Sequence, residues 1–157
     1  MPKDAIKVVR DGLQSYADRG IFRGFSEVKS RNSKASFSFL WMTPRRLDFI
    51  VDTGKGTLTF KDLLPNVPSR SIIHGDIKRF LLERYDAGLP GHRRIDRRRA
   101  EIAWSNRRGA VSVSLKVKDQ QYRYCLKKIV NLTHELFVYL ADRYDDYMCE
   151  NFDARQE

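Results

Sequence analysis

The residues best suited to chemistry in this chain are arginines, which occur in three groups. One group is the run HRRIDRRR at residues 92–99, and the other two are adjacent pairs at 45–46 and 107–108. A guanidinium presents N–H donors in a planar fork that matches phosphate, so arginines clustered on loops are typical of phosphate binding. The nine that we predict to contact a polyanion are Arg45, Arg46, Arg93, Arg94, Arg97, Arg98, Arg99, Arg107 and Arg108.

The distribution of charge favours the same kind of partner. The chain has 30 Lys/Arg against 20 Asp/Glu, a net charge of +10. Residues 93–128 hold twelve Lys/Arg and three acids, whereas residues 142–157 hold six acids and two arginines. A field this uneven attracts polyanions through steering and counterion release. High net charge also simply keeps proteins soluble and monomeric, and that alternative stays open.

Residues that could carry catalysis are sparse. The TGKGT stretch at 53–57 lacks the upstream glycine of a phosphate-binding loop, and a strand pattern follows it, so it predicts a hairpin turn. His74 and His134 stand near predicted helix starts, where packing or capping is the ordinary role, and Cys125 and Cys149 have no ligand spacing. We predict no catalytic residue, no metal site and no cofactor; whether the chain is an enzyme stays open, with a non-enzymatic role favoured.

Hydrophobic periodicity indicates the elements that position the arginines. Apolar residues recur every three or four positions in three segments and alternate with polar residues in the stretches between them, which short turns divide. Short turns between alternating runs indicate antiparallel pairing. The pattern predicts helices at 4–18, 71–86 and 132–148, strands between residues 21 and 61 and between 101 and 117, and a further strand at Tyr122–Tyr124.

The predicted fold class is α+β, with an antiparallel sheet of six to seven strands and helices packed on one side. The element order is α-βββ(β)-α-βββ-α within a single domain, residues 1–157. Trp41 and Trp104, the two Arg-Arg pairs and two Arg-Tyr-Asp triplets recur at offsets of 59 to 63, which indicates an internal duplication of a meander-plus-helix unit. The predicted parts are the N-terminal helix 4–18, a first half 21–88, a second half 95–150 and an acidic tail 150–157.

The alternation also assigns the two faces of the sheet. The aromatic side chains share the apolar phase of their strands and should lie in the core; they are Phe37, Phe39, Trp41 and Trp104. The opposite phase is rich in hydroxyls, namely Ser36, Ser38, Thr57, Thr59, Ser112 and Ser114. Single-strand binders commonly stack bases on aromatics of an exposed sheet face. We therefore expect phosphate contact with low sequence preference rather than stacking on the sheet.

The function we predict is non-enzymatic binding of nucleic-acid phosphates, DNA or RNA, through the arginine-rich connector and the two arginine turns. The alternative is a protein-interaction or chaperone-like homodimer, or a complex with an acidic protein. The element order is similar to that of secretion-chaperone-like modules, an analogy of order alone. No apolar run reaches the ~18 residues of a membrane span and no signal-peptide pattern begins the chain, so we expect no membrane contact and a cytoplasmic location.

Overall fold

The computed structural model of the protein describes the backbone of residues 2–152 and the side chains of residues 4–152. It contains four helices and six strands. The helices are α1 (Pro2–Asp18), α2 (Ile72–Glu83), α3 (Tyr122–Arg143) and α4 (Asp145–Phe152). The strands are β1 (Arg23–Arg31), β2 (Lys34–Trp41), β3 (Thr43–Asp52), β4 (Thr57–Leu64), β5 (Ala100–Arg107) and β6 (Ala110–Val117).

The six strands form one antiparallel sheet in the order β1-β2-β3-β4-β6-β5. The first four strands follow one another because their connections are short, as antiparallel neighbours allow. The long connection through α2 carries the chain past β4, so that β6 returns between β4 and β5. The predicted α+β class is therefore confirmed.

The inner face of the sheet is aromatic. Phe37, Phe49, Phe60, Val113 and Trp104 lie opposite one another across five strands. The three phenylalanines are fully buried, and burial of each contributes roughly 1.5–3 kcal/mol. All four helices pack on this side, as shown by contacts that join Glu27 to Arg10 of α1, Trp104 to His74 of α2, Trp41 to His134 of α3, and Arg45 to Phe152 of α4.

The outer face carries the predicted hydroxyl side chains. Ser36, Ile50, Thr59, Ser114 and Ala103 form one row across the sheet. These side chains are partly or fully exposed. Buried side chains from both predicted halves join one hydrophobic cluster beneath the inner face. The domain boundaries themselves stay a prediction.

The strand predicted at Tyr122–Tyr124 is wrong, because Tyr122 begins helix α3. Buried side chains recur at helical spacing from Tyr122 through Cys125 and Ile129 to Leu140. The helix predicted to start at residue 132 therefore starts ten residues earlier. It ends at Arg143, and α4 continues the chain after Tyr144.

The predicted tail also differs from the structure. Residues 148–152 belong to α4, and the side chains of Met148 and Phe152 are buried. The Phe152 ring meets that of Phe137 on α3 at a centroid distance of 5.2 Å. Apolar packing therefore orders a segment whose composition is acidic. Residues 153–157 of the predicted tail lie outside the described residues.

The two arginine pairs occupy different kinds of structure. The turn predicted at the first pair is wrong: the chain reverses at Met42, whose φ is 69°, and Arg45 and Arg46 lie within β3. The predicted turn at the second pair is confirmed. Arg108 and Gly109 both have positive φ, as a two-residue hairpin loop requires, and Gly109 adopts this conformation without strain.

This difference bears on the predicted duplication. The two halves share a hairpin followed by a helix, as β3-β4-α2 and β5-β6-α3. They differ because the second half has no third strand and because the arginine pairs are not equivalent. The duplication stays a prediction.

Candidate nucleic-acid interface

The arginine run belongs to the connector, residues 84–99, which joins α2 to β5 and lies along one face of α3. The Lys128 ammonium donates to the Gly91 carbonyl at 2.5 Å, and the Asn131 amide donates to the His92 carbonyl at 3.3 Å. The side chain of Ile95, which belongs to the connector, is buried. These anchors hold the backbone in place and leave most of the arginine side chains at the surface.

Arg93 belongs to an ion-pair network with Glu135. The Arg84 Nη1 donates to Glu135 Oε1 at 2.7 Å, and the Arg93 Nε donates to Glu135 Oε2 at 2.8 Å. The Arg84 side chain is only 6% exposed, and its Nε also donates to the Phe80 carbonyl. This network ties α2, the connector and α3 together. The Arg93 guanidinium is therefore already engaged in an ion pair within the protein and is less available to a ligand.

Arg97 and Arg99 each lie over the ring of a tyrosine. The guanidinium carbon of Arg97 is 3.7 Å from the centre of the Tyr85 ring, and that of Arg99 is 4.4 Å from the Tyr124 ring. Both arginines are exposed. Within residues 4–152 neither guanidinium makes a hydrogen bond or an ion pair. Their N–H donors are thus available to a ligand.

Arg94 and Arg98 are held more loosely. The Arg98 guanidinium meets Asp96 at 3.3 Å while its side chain is 91% exposed, so this pair is weak. A hydrogen bond from the Arg98 backbone N–H, followed by one from its side chain, lowers the pKa of Asp96. Arg94 donates from one nitrogen to the Ala87 carbonyl at 3.1 Å. Both side chains keep further donors at the surface.

The pKa of Lys128 reflects the positive charges of three neighbouring residues. Burial lowers the pKa of the Lys128 ammonium, and the positive charges of Arg94, Lys127 and Arg99 lower it further, while Glu135 opposes them. Lys128 also lies 5.4 Å from the centre of the Tyr124 ring that Arg99 covers. Arg94 and Arg99 of the connector therefore share one electrostatic environment with Lys127 and Lys128 of α3.

We call this surface the cationic patch. Its members are Arg94, Arg97, Arg98, Arg99, Lys127 and Lys128. Segments 91–99 and 122–135 together hold eight Lys/Arg against two acids, a net of +6. One of those acids, Glu135, is already shared by Arg84 and Arg93. The patch thus presents more positive charge than its own acids neutralise.

The first arginine pair lies elsewhere. Arg45 points to the inner side, where it donates to the Asp62 carbonyl at 3.0 Å beside Phe152. Arg46 lies on the outer face and donates to Ser38 Oγ at 2.8 Å and to the Gly24 carbonyl. These contacts fix strands β1 to β4 to one another. The structure does not bring this pair together with the connector.

The second pair is exposed but distant. Arg107 and Arg108 stand at the far end of β5, which begins next to Arg99. Eight residues of strand place the two ends about 23 Å apart. Within the part of the chain that the structure describes, neither side chain of the pair makes a hydrogen bond or an ion pair.

Two kinds of reactive group can be assessed in the described residues, namely metal ligands and the Cys125 thiol. No three His, Cys, Asp or Glu side chains among residues 4–152 lie close enough to hold a metal ion. Burial raises the pKa of the Cys125 thiol to about 12, so this group is protonated at neutral pH and is a poor nucleophile.

The helices of residues 2–152 include none that is long and apolar enough to cross a membrane.

Sequence reasoning missed the residues that organise the patch. Tyr124, Lys128, Asn131 and Glu135 lie on one face of α3 and all contact the connector. Their spacing of three and four residues was the available signal. The strand predicted over Tyr122–Tyr124 and the late helix start hid this stripe.

Comparisons with protein-family models, with curated proteins and with solved structures find no match to this chain. The site is therefore interpreted from its geometry alone.

Proposed function

We propose that the protein is a non-enzymatic nucleic-acid-binding protein whose cationic patch contacts phosphates. The observation that carries this proposal is the pair Arg97 and Arg99, which are exposed, oriented by tyrosine rings, and without a hydrogen bond or ion pair in residues 4–152. A guanidinium that is oriented in advance loses less conformational entropy when it binds phosphate.

The anchoring of the connector supports the proposal. Its backbone is hydrogen-bonded to three side chains of α3, those of Tyr124, Lys128 and Asn131. The connector that carries the patch arginines is therefore held against a helix. Phosphate contacts of this kind read the backbone and not the bases, which favours low sequence preference. We exclude Arg45 and Arg46 from the proposed interface, because their guanidiniums donate hydrogen bonds that connect strands of the sheet.

The test is fluorescence anisotropy with labelled mixed-sequence oligonucleotides, single-stranded and duplex, at 50 mM salt. The patch variant combines Arg94→Glu, Arg97→Glu and Arg99→Glu. The matched control combines Arg70→Glu, Arg107→Glu and Arg108→Glu. Both variants lower the net charge from +10 to +4, and the control residues are exposed, with the Arg107–Arg108 hairpin at the far end of β5.

We expect the patch variant to lose binding, and the control to lose only a few-fold of affinity through weaker long-range attraction. Equal losses in the two variants would show that net charge acts without a defined patch. Absence of binding by the unaltered protein to every oligonucleotide at 50 mM salt would contradict the proposed function itself.

A second candidate function rests on the open outer face of the sheet. Ser36, Thr59 and Ser114 line a row that no helix within residues 2–152 covers. Such a face could pair with a second copy of the chain, and in this candidate the basic surface of the protein would meet an acidic partner. This candidate predicts a mass near twice 18.4 kDa in sedimentation experiments at high salt, and a monomer there would count against the homodimer.

A further inference from the structure

We infer that the cationic patch takes single-stranded nucleic acid, with unpaired bases stacked on the guanidinium planes of Arg97 and Arg99. This inference rests on the proposed function and adds the class of ligand. Its basis is that each of these arginines forms the outer layer of a stack whose inner layer is a tyrosine.

The two tyrosines are fixed by the segment that carries the arginines. The Tyr85 hydroxyl accepts a hydrogen bond from the Ile102 N–H at 2.6 Å, and the Tyr124 hydroxyl accepts one from the Asp96 N–H at 3.0 Å. Each ring is thus held at its phenol end by backbone next to the arginine run. The orientation of the guanidinium above it is set by the fold and not by the ligand.

The separation of Arg97 from its ring is that of stacked planes. The guanidinium carbon of Arg97 lies over the Tyr85 ring, 3.7 Å from the ring centre. The Arg97 residue is itself exposed to solvent. Arg99 covers Tyr124 at 4.4 Å in the same manner. A planar base can lie on the outer face of such a guanidinium while the N–H donors at its edge reach the flanking phosphate.

The other arginine–aromatic contacts within residues 4–152 lack this combination. Arg19 lies 4.9 Å from the centre of the Tyr16 ring, and its Nε donates to the Ser15 carbonyl. Arg84 is buried and bound to Glu135. Arg45 is directed inward, with one nitrogen on a backbone carbonyl. Arg143 lies 5.3 Å from its ring centre, beyond stacking distance. Arg97 and Arg99 combine proximity to a ring, exposure and uncommitted donors.

The geometry selects unpaired bases. In a duplex the base faces are already stacked on one another, so they cannot cover a guanidinium unless the helix opens. In a single strand the faces are accessible to aromatic rings and to arginine planes. Phe37, Phe39 and Trp41 lie in the core as predicted from the sequence, and Trp104 is partly buried against it. The stacking surface lies outside the sheet, where the sequence pattern gave no reason to expect it.

The experiment compares a mixed-sequence single strand of about 16 nucleotides with an abasic strand of the same length and charge. It uses the full chain and its Arg97→Lys/Arg99→Lys variant, which keeps both charges and removes both planes. Arg94→Lys is the matched control, because Arg94 makes no ring contact within residues 4–152. All affinities are measured by anisotropy at 50 mM salt.

We expect the unaltered protein to bind the intact strand at least tenfold more tightly than the abasic strand, since each stacked base contributes about a factor of ten or more. In the double lysine variant this ratio should fall toward one while the affinity for the abasic strand stays within about twofold. Arg94→Lys should keep the ratio.

Three outcomes overturn the inference in distinguishable ways. Equal binding of the intact and abasic strands by the unaltered protein removes base stacking and leaves phosphate binding in place. Failure to bind either strand removes the inference, and it removes the proposed function as well only if the duplex oligonucleotide is not bound either. An unchanged ratio in Arg97→Lys/Arg99→Lys would place the stacking surface elsewhere and contradict the assignment of these two residues.

Discussion

The guanidinium of Arg97 lies 3.7 Å from the centre of the Tyr85 ring, and the hydroxyl of that ring accepts a hydrogen bond from the Ile102 N–H. Tyr85, two residues beyond the end of α2, thus contacts both the arginine run and the first residues of β5. The contact places a cation at the surface that forms no ion pair with the acids of residues 4–152. The fold leaves the Arg97 side chain exposed at the surface, whereas it buries that of Arg84.

The network around Glu135 predicts a large effect on stability. Glu135→Gln leaves the buried Arg84 guanidinium without its counter-charge, so we expect the free energy of unfolding to fall by about 3 kcal/mol. Arg93→Ala removes the more exposed partner, at 41% exposure, and should lower it by only about 0.5 kcal/mol. Urea unfolding monitored by circular dichroism measures both. Equal stabilities of the two variants would contradict the structural role of this network.

Packing of α4 predicts that Phe152 stabilises the fold despite its place at the end of the described chain. Its side chain is 2% exposed and contacts Phe137 and Tyr147. We expect Phe152→Ala to lower the free energy of unfolding by about 3 kcal/mol. The exposed Glu150→Ala should change it by less than about 0.5 kcal/mol. If Phe152→Ala unfolds at the same urea concentration as the unaltered protein, α4 is not docked in solution.

The contact between Tyr144 and Asp76 predicts a stability that depends on pH at both ends of the scale. The hydrogen bond from the Tyr144 hydroxyl, with help from Arg79, lowers the pKa of Asp76. The same bond raises the pKa of Tyr144 to about 12. A lowered carboxyl pKa contributes stability above about pH 4 that is lost as the pH falls, and a raised phenol pKa contributes stability below about pH 10 that is lost between pH 10 and 12.

Tyr144→Phe tests both arms of that profile, because it removes the donor and leaves the ring. We expect the melting temperature of this variant to be lower than that of the unaltered protein at pH 7. The difference should narrow below pH 4 and again above pH 10. A difference that is the same at every pH would mean that packing, and not this hydrogen bond, accounts for the effect.

The fold was largely predictable from the sequence because most strands alternate between an apolar and a polar face, although β1 is exposed along nearly all of its length. Val111, Val113 and Leu115 alternate with serines, and the structure buries all three. The alternation failed at Tyr122 and Tyr124, where two aromatics spaced two apart look like a strand although the later residues follow a helical period. A window reaching Leu140 was needed to separate the two readings.

The candidate site was less predictable, because charge does not reveal which arginines a fold uses internally. Arg45, Arg93 and Arg97 each precede a second arginine in the sequence, yet Arg45 binds a backbone carbonyl and Arg93 a glutamate. Those partners lie 17 and 42 residues away along the chain. Such pairings depend on tertiary contacts that no local pattern carries.

The most direct test of the central claim is the dependence of oligonucleotide affinity on salt. If the cationic patch engages about five phosphates of a single strand, log affinity should fall against log salt with a slope of about −3.5, which is about a hundredfold between 50 and 200 mM. The Arg94→Glu/Arg97→Glu/Arg99→Glu variant should bind so weakly that no comparable slope can be measured. An unaltered slope and affinity in that variant would contradict the account.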